Sequence, residues 1–159
     1  MEIRLGSALE VTATEQWRAD LRAGRAMTAG MRFAPALGEF PHIGLRNPGS
    51  GKILILRSAI IGISGAVDIG FHRHDTTLTT AVDNGHNLLS SGPTGQGQLR
   101  SQSNAANLGT VLNRYPGPSG QVIMPVPEWG YELASFAQIL FTCYTVDTVL
   151  YANFWWAEV

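Results

Sequence analysis

Glycine and proline cut this chain into pieces too short for long helices. It has 18 glycines and 8 prolines in 159 residues. With Asn, Asp and Ser they cluster as turn signals at intervals of roughly 8–14 residues, the spacing of short strands. Between the turns the pattern is β. Met27, Ala29, Met31 and Phe33 share one parity, the period-2 mark of a half-buried strand. Residues 39–46 read as a second strand, and Asn47-Pro-Gly-Ser-Gly51 as a tight turn. Lys52-Ile-Leu-Ile-Leu56 is apolar at both parities, prolonged by Ile60, Ile61 and Ile63, and such a strand is covered on both faces. Residues 66–72, 76–82, 110–114, 121–126, 133–144 and 149–156 complete the set. Eight or nine short strands without alternating helices predict an all-β, antiparallel, jelly-roll-like β-sandwich. At 17.1 kDa the chain can bury a core without metals or disulfides.

The first 26 residues differ. Thr12 and Glu15 have capping-box spacing, and Trp17 and Leu21 lie four apart. A helix over 14–24 or an irregular arm is expected, which divides the chain into an arm at 1–26 and a sandwich at 27–159. Ten of the eleven cationic residues are Arg. Arginine is enriched and lysine depleted at protein interfaces. Arg18, Arg22 and Arg25 are therefore candidates for contact with an acidic partner surface.

The closing strand carries large apolar side chains on both faces. Tyr151 and Trp155 point one way, Phe154 and Trp156 the other. Each Trp buries about 150–250 Å², so the four are candidate subunit-interface residues. Residues 83–109 are polar, with Arg100 as the sole charge after His86. A loop of this length inside a domain is usually functional, and a binding loop or an arm lying on a neighbouring subunit is expected there.

Several chemistries are disfavoured. A net charge of −1 argues against nucleic acid. The lone Cys143 rules out an internal disulfide and a Cys-rich zinc site. No apolar run reaches the ~18 residues of a membrane span, and no signal-peptide pattern opens the chain. Gly49-Ser-Gly-Lys52 fails the phosphate-loop spacing: Ile53 stands where Ser or Thr is needed. His72, His74 and His86 suggest a cupin-like metal site, but the accompanying Gly and Glu are missing. No Gly-x-Ser-x-Gly elbow is present. Glu128, Trp129, Tyr131 and Glu132 form a carboxylate–aromatic mix suited to carbohydrate. No catalytic, cofactor-binding or metal-ligating residue is assigned, and no cofactor is expected.

Gly44-Leu-Arg-Asn-Pro-Gly-Ser-Gly-Lys-Ile-Leu-Ile-Leu56 and the closing Asp147-Thr-Val-Leu-Tyr-Ala-Asn-Phe-Trp-Trp-Ala-Glu158 resemble small β-sandwich virion structural proteins of tailed bacteriophages. The turn is shorter by an Ala commonly found after its Pro, and Trp129-Gly130 replaces a common Pro-Gly. The resemblance covers residues 40–158. It implies a non-enzymatic, jelly-roll-like subunit, often trimeric, that decorates or cements the capsid. Its partners would be copies of itself and the major capsid protein or another virion protein. It would be made in the host cytoplasm and reside in the virion. A tail or fibre component or a carbohydrate-binding adhesin is the alternative, and a cupin-like enzyme the third reading.

Overall fold

A computed structural model describes residues 15–49, 51–65, 68–74, 76–89, 91–115, 120–124 and 131–159. Residues 15–22 are helical and lead into twelve strands. These are β1 (Ala26–Phe33), β2 (Phe40–Arg46), β3 (Leu54–Ile63), β4 (Ile69–Arg73), β5 (Thr80–Asn84) and β6 (His86–Asn87). They continue as β7 (Gln98–Asn104), β8 (Thr110–Tyr115), β9 (Gly120–Met124), β10 (Tyr131–Leu133), β11 (Gln138–Cys143) and β12 (Leu150–Glu158).

All pairings are antiparallel and build two sheets. The first runs β6-β1-β12-β3, with β9 and β10 sharing the far edge of β3. The second runs β5-β7-β2-β11-β4-β8. Without β5, β6 and β7 the order is β1-β12-β3-β9/β10 against β2-β11-β4-β8. The chain then passes between the sheets in the double Greek key of a jelly roll, with β4 and β8 the only consecutive pair in one sheet when β9/β10 counts as one strand. The expected fold class holds, including the short N-terminal helix.

The core lies between the sheets. Met27 and Ala29 of β1, Leu54, Leu56, Ala59 and Ile61 of β3, and Leu150, Ala152, Phe154 and Trp156 of β12 face Ile43, Leu45, Ile69, Phe71, Ile139 and Phe141. The Phe141 and Phe154 rings meet across the sandwich at 5.5 Å. The parity read for β1 places Met27 and Ala29 correctly, and the two parities of β12 separate as read. A bulge in β3 at Arg57, opposite Trp155 and Trp156, turns the end of β12 so that Trp156, Ala157 and Glu158 are all buried.

The polar stretch at 83–109 is not one long loop. It holds β6 and β7, and β7 pairs with β2 and β5 on its two edges. Gln, Ser and Asn give β7 a weak strand signal. Its place between two partners and its buried Leu99 and Ser101 make it a strand. The insertion β5–β7 also forces two crossings of the second sheet. Residues 74 and 76–79 lie on the way from β4 to β5, and residues 105–109 return from β7 to β8.

Candidate functional site

Each sheet has an outward face, and the chain treats the two differently. On the second sheet the two crossings cover that face over β2, β11 and β4, while the edge strand β8 is exposed. Gln138 Nε2 donates to the Thr76 carbonyl at 3.4 Å, and Arg100 Nη1 donates to the Leu78 carbonyl at 3.2 Å. Leu78 is buried. The return crossing is tied by Thr142 Oγ1 to Asn107 Oδ1 at 2.8 Å and by His72 Nδ1 to the Leu108 carbonyl at 2.7 Å. β11 is consequently buried at every position. Its apolar residues on both parities need no second molecule.

Beneath the return crossing lies a polar cluster. His42, Thr142 and Gly70 sit side by side on β2, β11 and β4. The His72 ring lies over Gly70, where a Cβ would collide with it and stand 2.7 Å from the Tyr144 hydroxyl. His72 Nε2 and the Tyr144 hydroxyl are 2.7 Å apart. A carbonyl can only accept, so Nδ1 of neutral His72 carries the proton and Nε2 accepts from Tyr144. Burial pushes the His72 pKa below its ordinary value, and the bond to Leu108 offsets part of that. His42 is pushed down to about 4, chiefly by burial, with the Ala106 backbone opposing and His72 and His74 adding to the shift. Among the described residues, neither His42 ring nitrogen has a hydrogen-bond partner. An open cleft of about 580 Å³, lined by Arg73, His74, Gly109, Thr110 and Leu112, adjoins the end of this crossing.

On the first sheet the outward face is only partly covered. The helix reaches it through Asp20, a buried carboxylate. Asp20 accepts from Arg25 Nη2 at 2.8 Å, Arg57 Nη2 at 3.4 Å and Gln16 Nε2 at 3.3 Å. Trp17 and Leu21 are half-buried, as their spacing predicts, whereas Thr12 lies outside the described residues. Beyond the helix, Arg32, Tyr151, Gly30 and Asn153 are exposed in paired register on β1 and β12. Tyr151 keeps 41% of its surface. Arg32 Nε donates to its hydroxyl at 3.2 Å, with the guanidinium 5.7 Å from the ring centroid. Asn153 lies across Gly30, where a Cβ would meet its side-chain amide. Ile60 and Trp155 are half-buried on the same face.

The four interface candidates therefore divide. Phe154 and Trp156 are fully buried in their own chain and offer nothing to a partner, because even-numbered positions of β12 face the core. Tyr151 and Trp155 lie on the open face. Arg18 and Arg22 are exposed on the helix, whereas Arg25 is engaged by Asp20.

The histidine constellation is not assembled. His72 lies on the second sheet and His86 on β6 of the first. Among the described residues, no three His, Cys, Asp or Glu side chains form a metal-holding group. Tyr131 packs edge-on against Phe71 at 5.5 Å, while Glu128 and Trp129 lie outside the described residues. Cys143 is buried, and burial raises its pKa. Sequence reasoning missed His42, Gly70, Thr142 and Asn107, because the first three meet through long-range strand pairing and Asn107 through a crossing, neither of which a local pattern announces. No family model, curated protein or solved structure matches the chain.

Proposed function

We propose that this chain is a non-enzymatic structural subunit of a tailed-phage virion, a decoration or cement protein that oligomerises, as a trimer, and stabilises the head shell. One observation carries the reading: the chain spends two crossings covering one sheet and leaves Arg32, Tyr151 and Asn153 of the other exposed. A sister subunit on that face would bury the Tyr151 ring and the half-exposed Trp155, each apolar Å² contributing about 25 cal/mol. Cyclic association presents the same patch on every copy. Exposed Arg18 and Arg22 on the helix then meet an acidic shell surface. A ligand that binds only the assembled shell stabilises it by mass action. The Asn47–Lys52 turn and the closing aromatic strand support the virion assignment through their resemblance to such subunits.

Immunogold labelling of particles that encode the chain tests this assignment. Label on heads supports it, label on tails favours a tail or fibre role, and particles without label refute both. A carbohydrate-binding tail module is the second reading. Tyr151 and Trp155 beside Asn153 and Arg32 favour it, since rings flanked by amide and guanidinium donors suit a sugar. Sugar binding by the soluble subunit, lost in Tyr151→Ala, would replace the first reading by the second.

A further inference from the structure

The return crossing at 105–109 is taut. From β7 to β8 it passes four strand spacings, about 19 Å, with six residue steps that reach about 20 Å. Among the described residues, no backbone–backbone hydrogen bond ties 105–109 to the sheet. Two side-chain bonds hold it there, Thr142 to Asn107 and His72 to the Leu108 carbonyl. Ala105, Ala106 and Gly109 are exposed, so this segment has far less to lose on opening than the core. Beneath it His42 is fully buried, its ring facing the Ala106 backbone of the strap without a well-formed hydrogen bond at either nitrogen.

We propose that residues 105–109 form an acid-released strap: protonation of His42, followed by His72, lifts the strap from the second sheet while the sandwich stays folded.

The groups facing His42 reinforce the effect. His72 on β4 and His74 just beyond it both oppose a positive charge at His42. From β7 comes Arg100, turned onto Gln98 and the Leu78 carbonyl. Tyr144 at the end of β11 is engaged with His72. Beyond Gly70, Arg114 of β8 stacks over Tyr144 at 4.2 Å and pairs with Asp68 at 2.9 Å. The Asp68 carboxylate is thus taken by Arg114. An imidazolium at His42 would be desolvated beside like-charged groups, the Ala106 backbone offsetting only part of that cost, and hydration through strap opening relieves it. With the strap closed, the His42 pKa of about 4 lies below its ordinary 6.5, so the open form binds the proton between these values.

NMR of protein carrying isotope-labelled histidine tests this through the His72 Nδ1 proton, which the closed strap shields from water. Its exchange, corrected for the intrinsic rate, is expected to rise about tenfold per pH unit as the pH falls below about 6.5. The backbone amides of Phe141 and Phe154 keep their protection over the same range. In His42→Gln and His42→Leu the rise is shallower and begins at lower pH. Exchange independent of pH, an equal rise in the variants, or simultaneous loss of protection at Phe141 and Phe154 would overturn the proposal. If neither variant folds, the wild-type comparison of strap against core decides alone.

Discussion

The indole nitrogen of Trp156 donates to the Oε1 atom of Glu158 at 3.1 Å, two residues further along the same strand. Both side chains are buried. The same oxygen accepts the backbone N–H groups of Gln96 at 2.7 Å and Gly97 at 2.9 Å. Its partner Oε2 meets Lys52 Nζ at 3.3 Å. One carboxylate thereby fastens the turn before β7 to the end of β12 and compensates its own burial with four donors. Replacing Glu158 by Ala leaves two amides and an indole N–H without their acceptor. The expected loss is about 3–5 kcal/mol, read from the urea midpoint. Glu158→Gln keeps an acceptor oxygen and is expected to cost less than half as much. Equal losses in the two variants would contradict this role.

The Trp156 ring is walled by backbone that has no side chains to spare. A Cβ on Gly85 would collide with its six-membered ring, and one on Gly97 would stand 2.9 Å from its atoms. Gly85→Ala or Gly97→Ala is expected to destabilise the fold by about 1–3 kcal/mol through overpacking. Thermal unfolding followed by tryptophan emission checks this, and an unchanged midpoint in both would place the ring elsewhere.

The helix hangs on Asp20. Asp20→Ala removes the buried partner of Arg25 and of Arg57, whose side chain is only 18% exposed. A stability loss of about 2–4 kcal/mol is expected, with faster hydrogen exchange across 15–22. Unchanged exchange in the helix would show that Trp17 and Leu21 hold it without the ion pairs.

Folding stability should also respond to pH through His42. The folded protein holds its pKa at about 4 against 6.5 in the unfolded chain, so the unfolded chain takes up the extra proton between these values. The His42 contribution to stability is therefore level above pH 6.5. It falls as the pH drops towards 4, by up to about 3 kcal/mol and by no more than the cost of opening the strap. Urea titrations of wild type and His42→Gln over this range measure the difference. A variant that loses stability as steeply as wild type would remove His42 from the account.

Local pattern made much of this fold legible. The parity of Met27 and Ala29 reports a strand and its inward face, whereas the two-sided Ile-Leu run of β3 and the aromatic β12 report strands without saying which face is inward. Ile55 and Ile60 are only half-buried, so β3 is not covered on both faces as its run predicts. The turn at Asn47 was readable too. Its side chain donates to the carbonyls of Lys52 at 2.7 Å and Leu133 at 2.9 Å and accepts the Gly49 amide at 3.1 Å. What could not be read was long-range. β7 is a strand because β2 and β5 hold it, and its own Gln, Ser and Asn residues favour turns. The covering of β11 comes from residues 74, 76–79 and 105–109, which carry no periodic signal. The strongly apolar stretch 133–144 therefore gives no sign of its own that these crossings cover its outer face. The meeting of His42 with His72, thirty residues on, followed from long-range strand pairing.

The central claim is that the open face of the first sheet is shared between copies. Light scattering on the purified protein at micromolar concentration tests it most directly, with Tyr151→Glu measured alongside. The account predicts a mass near three times 17.1 kDa, falling to that of one chain in the variant while the fold persists. A single-chain mass for the unaltered protein across that range, or an assembly that Tyr151→Glu leaves intact, would contradict it.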